Sequence, residues 1–174
     1  AAQYPAQSLA EFVRGMTKRK LDSDTLGAKG EAMFDGFCAD AGLVSNPSIR
    51  DRTGWDRIVE FPYVGLKPEA AIDSRPVPIS CHVQVKTVWT GKTTCRLRLS
   101  AAERLAKDPK PTFVYILSVN PDLTAHTAHL IHLKGDALAT ILKRLRREHR
   151  DNGSNAKINT KTITLPLSLG AELT

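Results

Sequence analysis

Residues 80–89 read SCHVQVKTVW, and the reading of this stretch decides the fold. As a strand it points successive side chains to opposite faces. Val83, Val85, Thr87 and Trp89 then make an ordinary apolar face, while His82, Gln84, Lys86 and Val88 share the other. That second face sets an amide and an ammonium inside a run that otherwise looks buried. Lysine is seldom buried without a partner, so the strand calls for carboxylates from elsewhere in the chain.

Outward from it, other elements follow from period and punctuation. TFVYILSV at 112–119 is a continuous apolar run, as expected of a strand buried on both faces. TTCRLRLS at 93–100 alternates Cys95, Leu97 and Leu99 with Arg96 and Arg98. Ser100 and Glu103 have the spacing of a capping box, and Ala102 and Leu105 should face inward from the helix they open. TAHLIHL at 127–133 is the last core strand, and a helix follows over 137–150 with Leu138, Ile141, Leu142 and Leu145 as its apolar positions. Its outside is crowded by Lys143, Arg144, Arg146, Arg147 and Arg150 against a lone Glu148. Residues 162–167 add one strand-like piece.

Upstream, TLGAKGEAMFDGFCADAG at 25–42 predicts a helix capped by Asp24 or Thr25 and stopped at Gly42. Leu26, Met33, Phe34, Phe37, Cys38 and Ala41 recur at helical spacing, and Glu31 falls on the side of Phe34 and Cys38. Gly27 and Gly30 point either to close approach of a neighbour or to a frayed first turn in which Glu31 favours the helix dipole. LVSNPSI at 43–49 contains Pro47 and is expected at a sheet edge. WDRIVEFPYV at 55–64 alternates, with Trp55, Arg57, Val59, Phe61 and Tyr63 on one side and Asp56, Ile58 and Glu60 on the other. Asp56, straight after Gly54, is either a turn residue or one of the carboxylates sought. Residues 65–79 form a loop rich in Pro and charge. Residues 1–24 are expected to be an arm or accessory helix, with Ser8 and Glu11 as a capping box and a basic end; residues 25–174 are expected to be the main domain.

The totals bound the function. The chain has 174 residues, 41% hydrophobic and 25% charged, with a formal net charge of +7. This suits one soluble domain and permits a polyanionic partner. No run approaches the ~20 apolar residues of a membrane span, and the start lacks the pattern of a signal peptide. Cys38, Cys81 and Cys95 make neither a disulfide framework nor a zinc pattern. A cytoplasmic protein with reduced thiols is the expectation. The first residue is not Met, which fits a trimmed chain or a piece of a larger one. His126, His129 and His132 fall on opposite faces of a strand and cannot converge on a metal; His82 is expected to be a satisfied core histidine.

Asp56, the Gln84 side-chain oxygen and the Val85 carbonyl can offer three oxygen ligands to Mg²⁺, with Glu31 binding directly or through water. A metal held there against a phosphodiester polarises the phosphoryl oxygen and acidifies a water. Lys86 would orient that water and offset charge on the phosphorus.

The ordered set Gly30-Glu31, Gly54-Trp55-Asp56 and Gln84-Val85-Lys86 resembles the PD-(D/E)XK nuclease superfamily over roughly residues 25–133. It is closest to the branch with a helical Glu and a QxK motif, which includes Holliday-junction-resolvase-like and type IV restriction-like nucleases. The resemblance implies an α/β fold with a restriction endonuclease-like core: a central mixed sheet flanked by helices in αβββαβ order, here with an extra N-terminal helix and a C-terminal basic helix. It implies an Mg²⁺- or Mn²⁺-dependent hydrolase of nucleic-acid phosphodiesters, DNA favoured, with Glu31, Asp56, Gln84 and Lys86 catalytic. Gln84 departs from the commoner Asp or Glu, which removes one negative charge from the metal site. Arg96, Arg98 and the basic helix would contact phosphates, unless the helix is a solvated surface. The alternatives are an inactive nucleic-acid-binding module of the same fold and a nuclease toxin domain acting on tRNA or DNA. Folds of this size often act as homodimers to cut two strands.

Overall fold

The computed structural model describes residues 21–48, 54–62, 73 and 78–173. Of the arm or accessory helix expected over 1–24, positions 1–20 lie outside the described residues, as does most of the 65–79 loop; Ser23 and Asp24 belong to the first helix.

Helix α1 (Ser23–Asp40) starts earlier than its apolar pattern suggests, because Asp22 rather than Asp24 or Thr25 caps it. Asp22 Oδ1 accepts from the backbone N–H groups of Asp24 at 3.0 Å and Thr25 at 2.9 Å, satisfying donors that a helix start leaves orphaned. The helix buries Leu26, Gly30, Phe34 and Cys38, one residue per turn. Phe37 and Ala41, expected inside, are exposed because a four-residue spacing leaves a narrow stripe. Of the two early glycines, only Gly30 meets a neighbour: a Cβ there would collide with the Thr87 hydroxyl, whereas one at Gly27 would meet nothing within 4 Å.

A six-stranded mixed sheet is built from β1 (Val44–Pro47), β2 (Arg57–Glu60), β3 (Ser80–Trp89), β5 (Thr112–Val119), β6 (Ala125–His132) and β8 (Ala171–Leu173), in the order β1-β2-β3-β5-β6-β8. Strand β1 is an edge, where Pro47 does least harm to a ladder. The β3–β5 pair is parallel, with Gln84 opposite Val114 and Lys86 opposite Ile116; the other pairings are antiparallel. A parallel pair needs a crossover. Here it runs through β4 (Thr94–Arg98) and α2 (Leu99–Lys107). Strand β4 leaves the main sheet and pairs with β7 (Thr162–Pro166) in a two-stranded ribbon.

The faces of β3 separate as its alternation predicts. On one side α1 covers Val83, Val85, Tyr115 and Leu117. On the other, α2, α3 (Gly135–Asn152) and the ribbon enclose Leu97, Leu105, Val114, Ile116, Ile131, Ile141 and Leu165. Each such fully buried aliphatic side chain contributes roughly 1.5–3 kcal/mol. The architecture is α/β, with helices on both faces of a mixed sheet. Among the described residues no helix is long and apolar enough to cross a membrane.

Several local expectations need correction. Helix α2 begins at Leu99 with Arg98 at its N-cap and no side-chain cap. The anticipated Ser100–Glu103 box therefore does not form; Leu99 is fully buried, which draws the helix start forward. Glu103 bonds Lys107 Nζ at 2.5 Å instead. Strand β2 is confined to Arg57–Glu60, so Trp55 and Asp56 precede it. Glu148 is buried at 3% exposure rather than standing on the outer face of α3. The short strand β8 has no counterpart in the expectations. His82 is buried and bonded, as expected of a core histidine. His129 pairs opposite Ile116, and His132 stacks on Phe113 with ring centroids 4.4 Å apart.

Candidate active site

The site forms where β2 ends and β3 continues. The β2–β3 ladder runs out at Arg57 opposite Val83, while β3 extends to Trp89. Among the described residues no strand pairs with that edge of β3 beyond Val83. Asp56 takes up the first step of the gap. Its backbone N–H donates to the Val83 carbonyl at 2.9 Å, and its Oδ2 accepts from the Val85 N–H at 2.8 Å. A side-chain carboxylate thus replaces a strand at the donor that most needs one. Gly54 holds this turn close to α2: at φ +89° its missing side chain would stand 3.0 Å from both the Ala101 carbonyl oxygen and Arg104 Cβ.

Gln84 Nε2 donates to the same Asp56 Oδ2. Gln84 Nε2 also donates to the Val85 carbonyl at 3.4 Å. Among the described residues both bonds to Asp56 from β3 fall on Oδ2, which leaves Asp56 Oδ1 and the Gln84 amide oxygen for an electrophile. Burial pushes the Asp56 carboxyl above the ordinary carboxylate range; the Val85 N–H and Lys86 pull it down, and Glu31 pushes it up again. Charge on Asp56 is therefore held at a cost that a nearby cation would relieve.

Arg57 ties this corner to α1. Its Nε and Nη2 grip the two oxygens of Asp35 at 2.8 and 3.0 Å. Its Nη1 reaches Glu31 Oε2 at 3.0 Å and donates to the Asp56 carbonyl at 3.0 Å. The bidentate bond holds Asp35 below the usual carboxylate range. Beneath, Trp55 lies flat on His82, ring centroids 3.9 Å apart, and His82 Nδ1 bonds Asp108 Oδ2 at 2.7 Å. The residue before Asp56 is thereby fastened to β3 itself.

Glu31, Asp56, Gln84 and Lys86 line one cleft of about 480 Å³, with Arg57, Arg98 and Arg104 also on its walls. Lys86 has no ion-pair partner among the described residues, although Asp56 is near enough to feel its charge. The fold thus brings together the four residues expected to be catalytic, with Val85 between two of them. It also brings Arg98. It leaves Arg96 on the outer face of the ribbon, and sets Lys143, Arg144 and Arg147 at a separate groove. Arg146 and Arg150 are exposed and line neither. Arg57 and Arg104 escaped the sequence reading. A signal for Arg57 was present: it shares its strand face with Val59, a charge on an apolar side, as Glu31 is on α1.

The donor set suits a hard cation. It offers a carboxylate, an amide oxygen, the Val85 carbonyl and a second carboxylate in Glu31. Glu31 and Asp56 are its two carboxylates; among the described residues no group of three or more His, Cys, Asp and Glu able to hold a metal gathers at one point, so the amide and carbonyl oxygens would have to complete the set. No protein-family model, no curated protein and no solved structure matches this chain.

Proposed function

We propose that this chain is a metal-dependent endonuclease that hydrolyses nucleic-acid phosphodiesters, DNA favoured, on a restriction endonuclease-like core. The carrying observation is the half-unpaired β3, which aligns Asp56, Gln84 and Lys86 along one wall of a polar cleft faced by Glu31. The element order α1-β1-β2-β3-α2-β5, with β4 inserted before α2, supports that core.

Asp56 Oδ1, the Gln84 amide oxygen and the Val85 carbonyl would hold Mg²⁺ or Mn²⁺, with Glu31 completing the set. Such a metal supplies Lewis acidity toward the phosphoryl oxygen and toward an attacking water. The remaining work belongs to the chain. The Lys86 ammonium orients the water and balances charge gathering on the phosphoryl group. Arg57 keeps Glu31 at the cleft. Arg98 and Arg104 stand where phosphates flanking the cut would lie.

The test is cleavage of plasmid, linear and branched DNA, and of RNA, with Mg²⁺ or Mn²⁺. Lys86→Ala and Asp56→Ala should each lower the rate by 10²-fold or more, on the order expected when charge stabilisation in the transition state is lost, with circular dichroism unchanged. Full activity in Asp56→Ala protein would sink the proposal. A second reading, a binding module of the same fold without catalysis, draws on the engagement of Asp56 by Gln84 and of Glu31 by Arg57. Salt-sensitive binding with no cutting in any divalent metal selects it.

A further inference from the structure

Away from the cleft, a second hollow of about 420 Å³ lies between α3 and the ribbon. Lys143 and Arg147 flank it from the helix, and Thr162 and Thr164 from β7. Both basic side chains are exposed, and among the described residues neither is in an ion pair, unlike Arg144, Arg150 and Lys161. Arg144, on the same wall, differs: its Nη1 bonds Glu148 Oε2 at 2.9 Å, and Lys161 Nζ stands 3.5 Å from the other carboxylate oxygen. The basic face of α3 therefore divides into residues that are neutralised within the fold and residues that are not.

The hollow also abuts the cleft. Arg98, on the cleft wall, is the ladder partner of Thr162, on the wall of the hollow. Paired strands lie ~5 Å apart, so a residue on the wall of one depression neighbours a residue on the wall of the other. Arg96 opposite Thr164 continues the cationic row along the ribbon. Guanidinium, ammonium and hydroxyl donors in this arrangement suit the phosphate oxygens of a polyanion and carry no base-reading pattern.

We propose that this hollow is a backbone clamp: Lys143 and Arg147, with the threonine hydroxyls of β7, hold phosphates of the same DNA duplex whose scissile phosphate lies in the cleft, within a few nucleotides of the cut. The clamp rests on the nuclease reading for its occupant. It assigns duplex DNA to a path from the cleft, across the β4–β7 ribbon, to α3. It also separates Lys143 and Arg147 from the equally basic Arg146 and Arg150, which do not line the hollow.

The test is equilibrium binding of a labelled DNA duplex by the 174-residue Asp56→Ala chain, read by fluorescence anisotropy across a salt series. Each phosphate contact contributes about 0.9 to the slope of log K against log salt. The Lys143→Ala/Arg147→Ala pair should lower that slope by about 2 and weaken binding roughly tenfold at moderate salt. The Arg146→Ala/Arg150→Ala pair removes the same formal charge, Arg150 being paired with Asp151 at 2.9 Å, and should change the slope by less than about 0.5. Equal losses in the two pairs, or no loss in the first, overturn the clamp. The same series on duplex RNA settles the polymer; a loss confined to RNA overturns the DNA assignment. Because cleavage is not read, an inactive cleft leaves the binding result decisive, and a cutting enzyme with an unchanged slope loses the clamp alone.

Discussion

The Arg57 guanidinium engages Glu31, Asp35 and the Asp56 carbonyl at once. Removing it strands two carboxylates, one of them part of the candidate site. Breaking a buried pair costs 3–5 kcal/mol; with Asp35 40% exposed, Arg57→Ala should cost ~2–3 kcal/mol in denaturant unfolding. Arg57→Lys should recover only part, since an ammonium cannot make the two parallel bonds to Asp35. The pH dependence has a definite sign. Asp35 is depressed below its ordinary 3.8, so its contribution is present above that value and is lost as pH falls through the lower folded one. Asp35→Asn should flatten the stability profile below about pH 4 relative to the parent. Gly30 allows another test of sign. Gly→Ala within a helix ordinarily stabilises by up to ~1 kcal/mol, and Gly36→Ala, with open space around it, should do so. Gly30→Ala forces a Cβ into Thr87 on β3 and should destabilise by ~1–3 kcal/mol. Thermal melts of the two single variants decide it, and a stabilised Gly30→Ala would contradict the close approach of α1 to β3.

At the scale of elements, helix α3 is held by a charge turned inward. Glu148 meets Arg144, Lys161 and Asn152, whose Nδ2 donates to Oε1 at 2.7 Å. These bonds join the helix to its own C-terminal turn and to the approach of β7. Bonded mainly to Arg144, the Glu148 carboxyl sits below its usual range. Glu148→Ala should lower Tm, and Glu148→Gln should lower it less, because the amide keeps an acceptor for Asn152. Both variants should also loosen Arg144, readable as a change in the salt dependence of DNA binding. The ribbon shows the alternation that makes this possible. Cys95, Leu97, Ile163 and Leu165 point into the core while Arg96, Arg98, Thr162 and Thr164 point out. Cys95 is 2% exposed and burial pushes its thiol up to about 11, so it should react slowly with thiol reagents until the protein unfolds.

Taken whole, the described residues form two apolar clusters on opposite faces of one sheet. Neighbouring residues of β5 serve different clusters: Ile116 packs toward α2 and α3, Leu117 toward α1. A cavity at either should be felt by both, because β3 and β5 are common to them. Ile116→Ala and Leu117→Ala should each cost ~2–5 kcal/mol. The chain's two tryptophans report separately: Trp55 packs against one cluster and Trp89 against the other. Single-tryptophan proteins, made by Trp55→Phe or Trp89→Phe, should show superimposable unfolding between their two signals in fraction unfolded, once each variant's own stability change is allowed for. An intermediate seen by one probe alone would mean that the sheet does not couple its faces.

Periodicity was enough to identify β3, α1 and α3 from the amino-acid order and to sort the side chains of β3 onto the faces they occupy, and a continuous apolar run was enough for β5. These signals are local, arising from side-chain alternation, helical spacing and run length. Polar or charged side chains on otherwise apolar faces drew attention to Glu31, Gln84 and Lys86 without coordinates; Asp56, which also reads as a turn residue, joined them through the order and spacing of the motifs that resemble the nuclease superfamily. Three-dimensional packing decided the rest. Nothing local to β4 reveals that it leaves the main sheet for β7, some sixty residues on. Glu148 looks like a surface residue until Lys161 and Asn152 are brought beside it. The candidate site itself depends on a length mismatch: β2 stops while β3 continues, and the carboxylate of Asp56 fills the first vacant step. Strand ends are set by competition among ladders, turns and side chains distant in sequence, so only the folded chain places Asp56 against Val85 and leaves Lys86 facing the cleft.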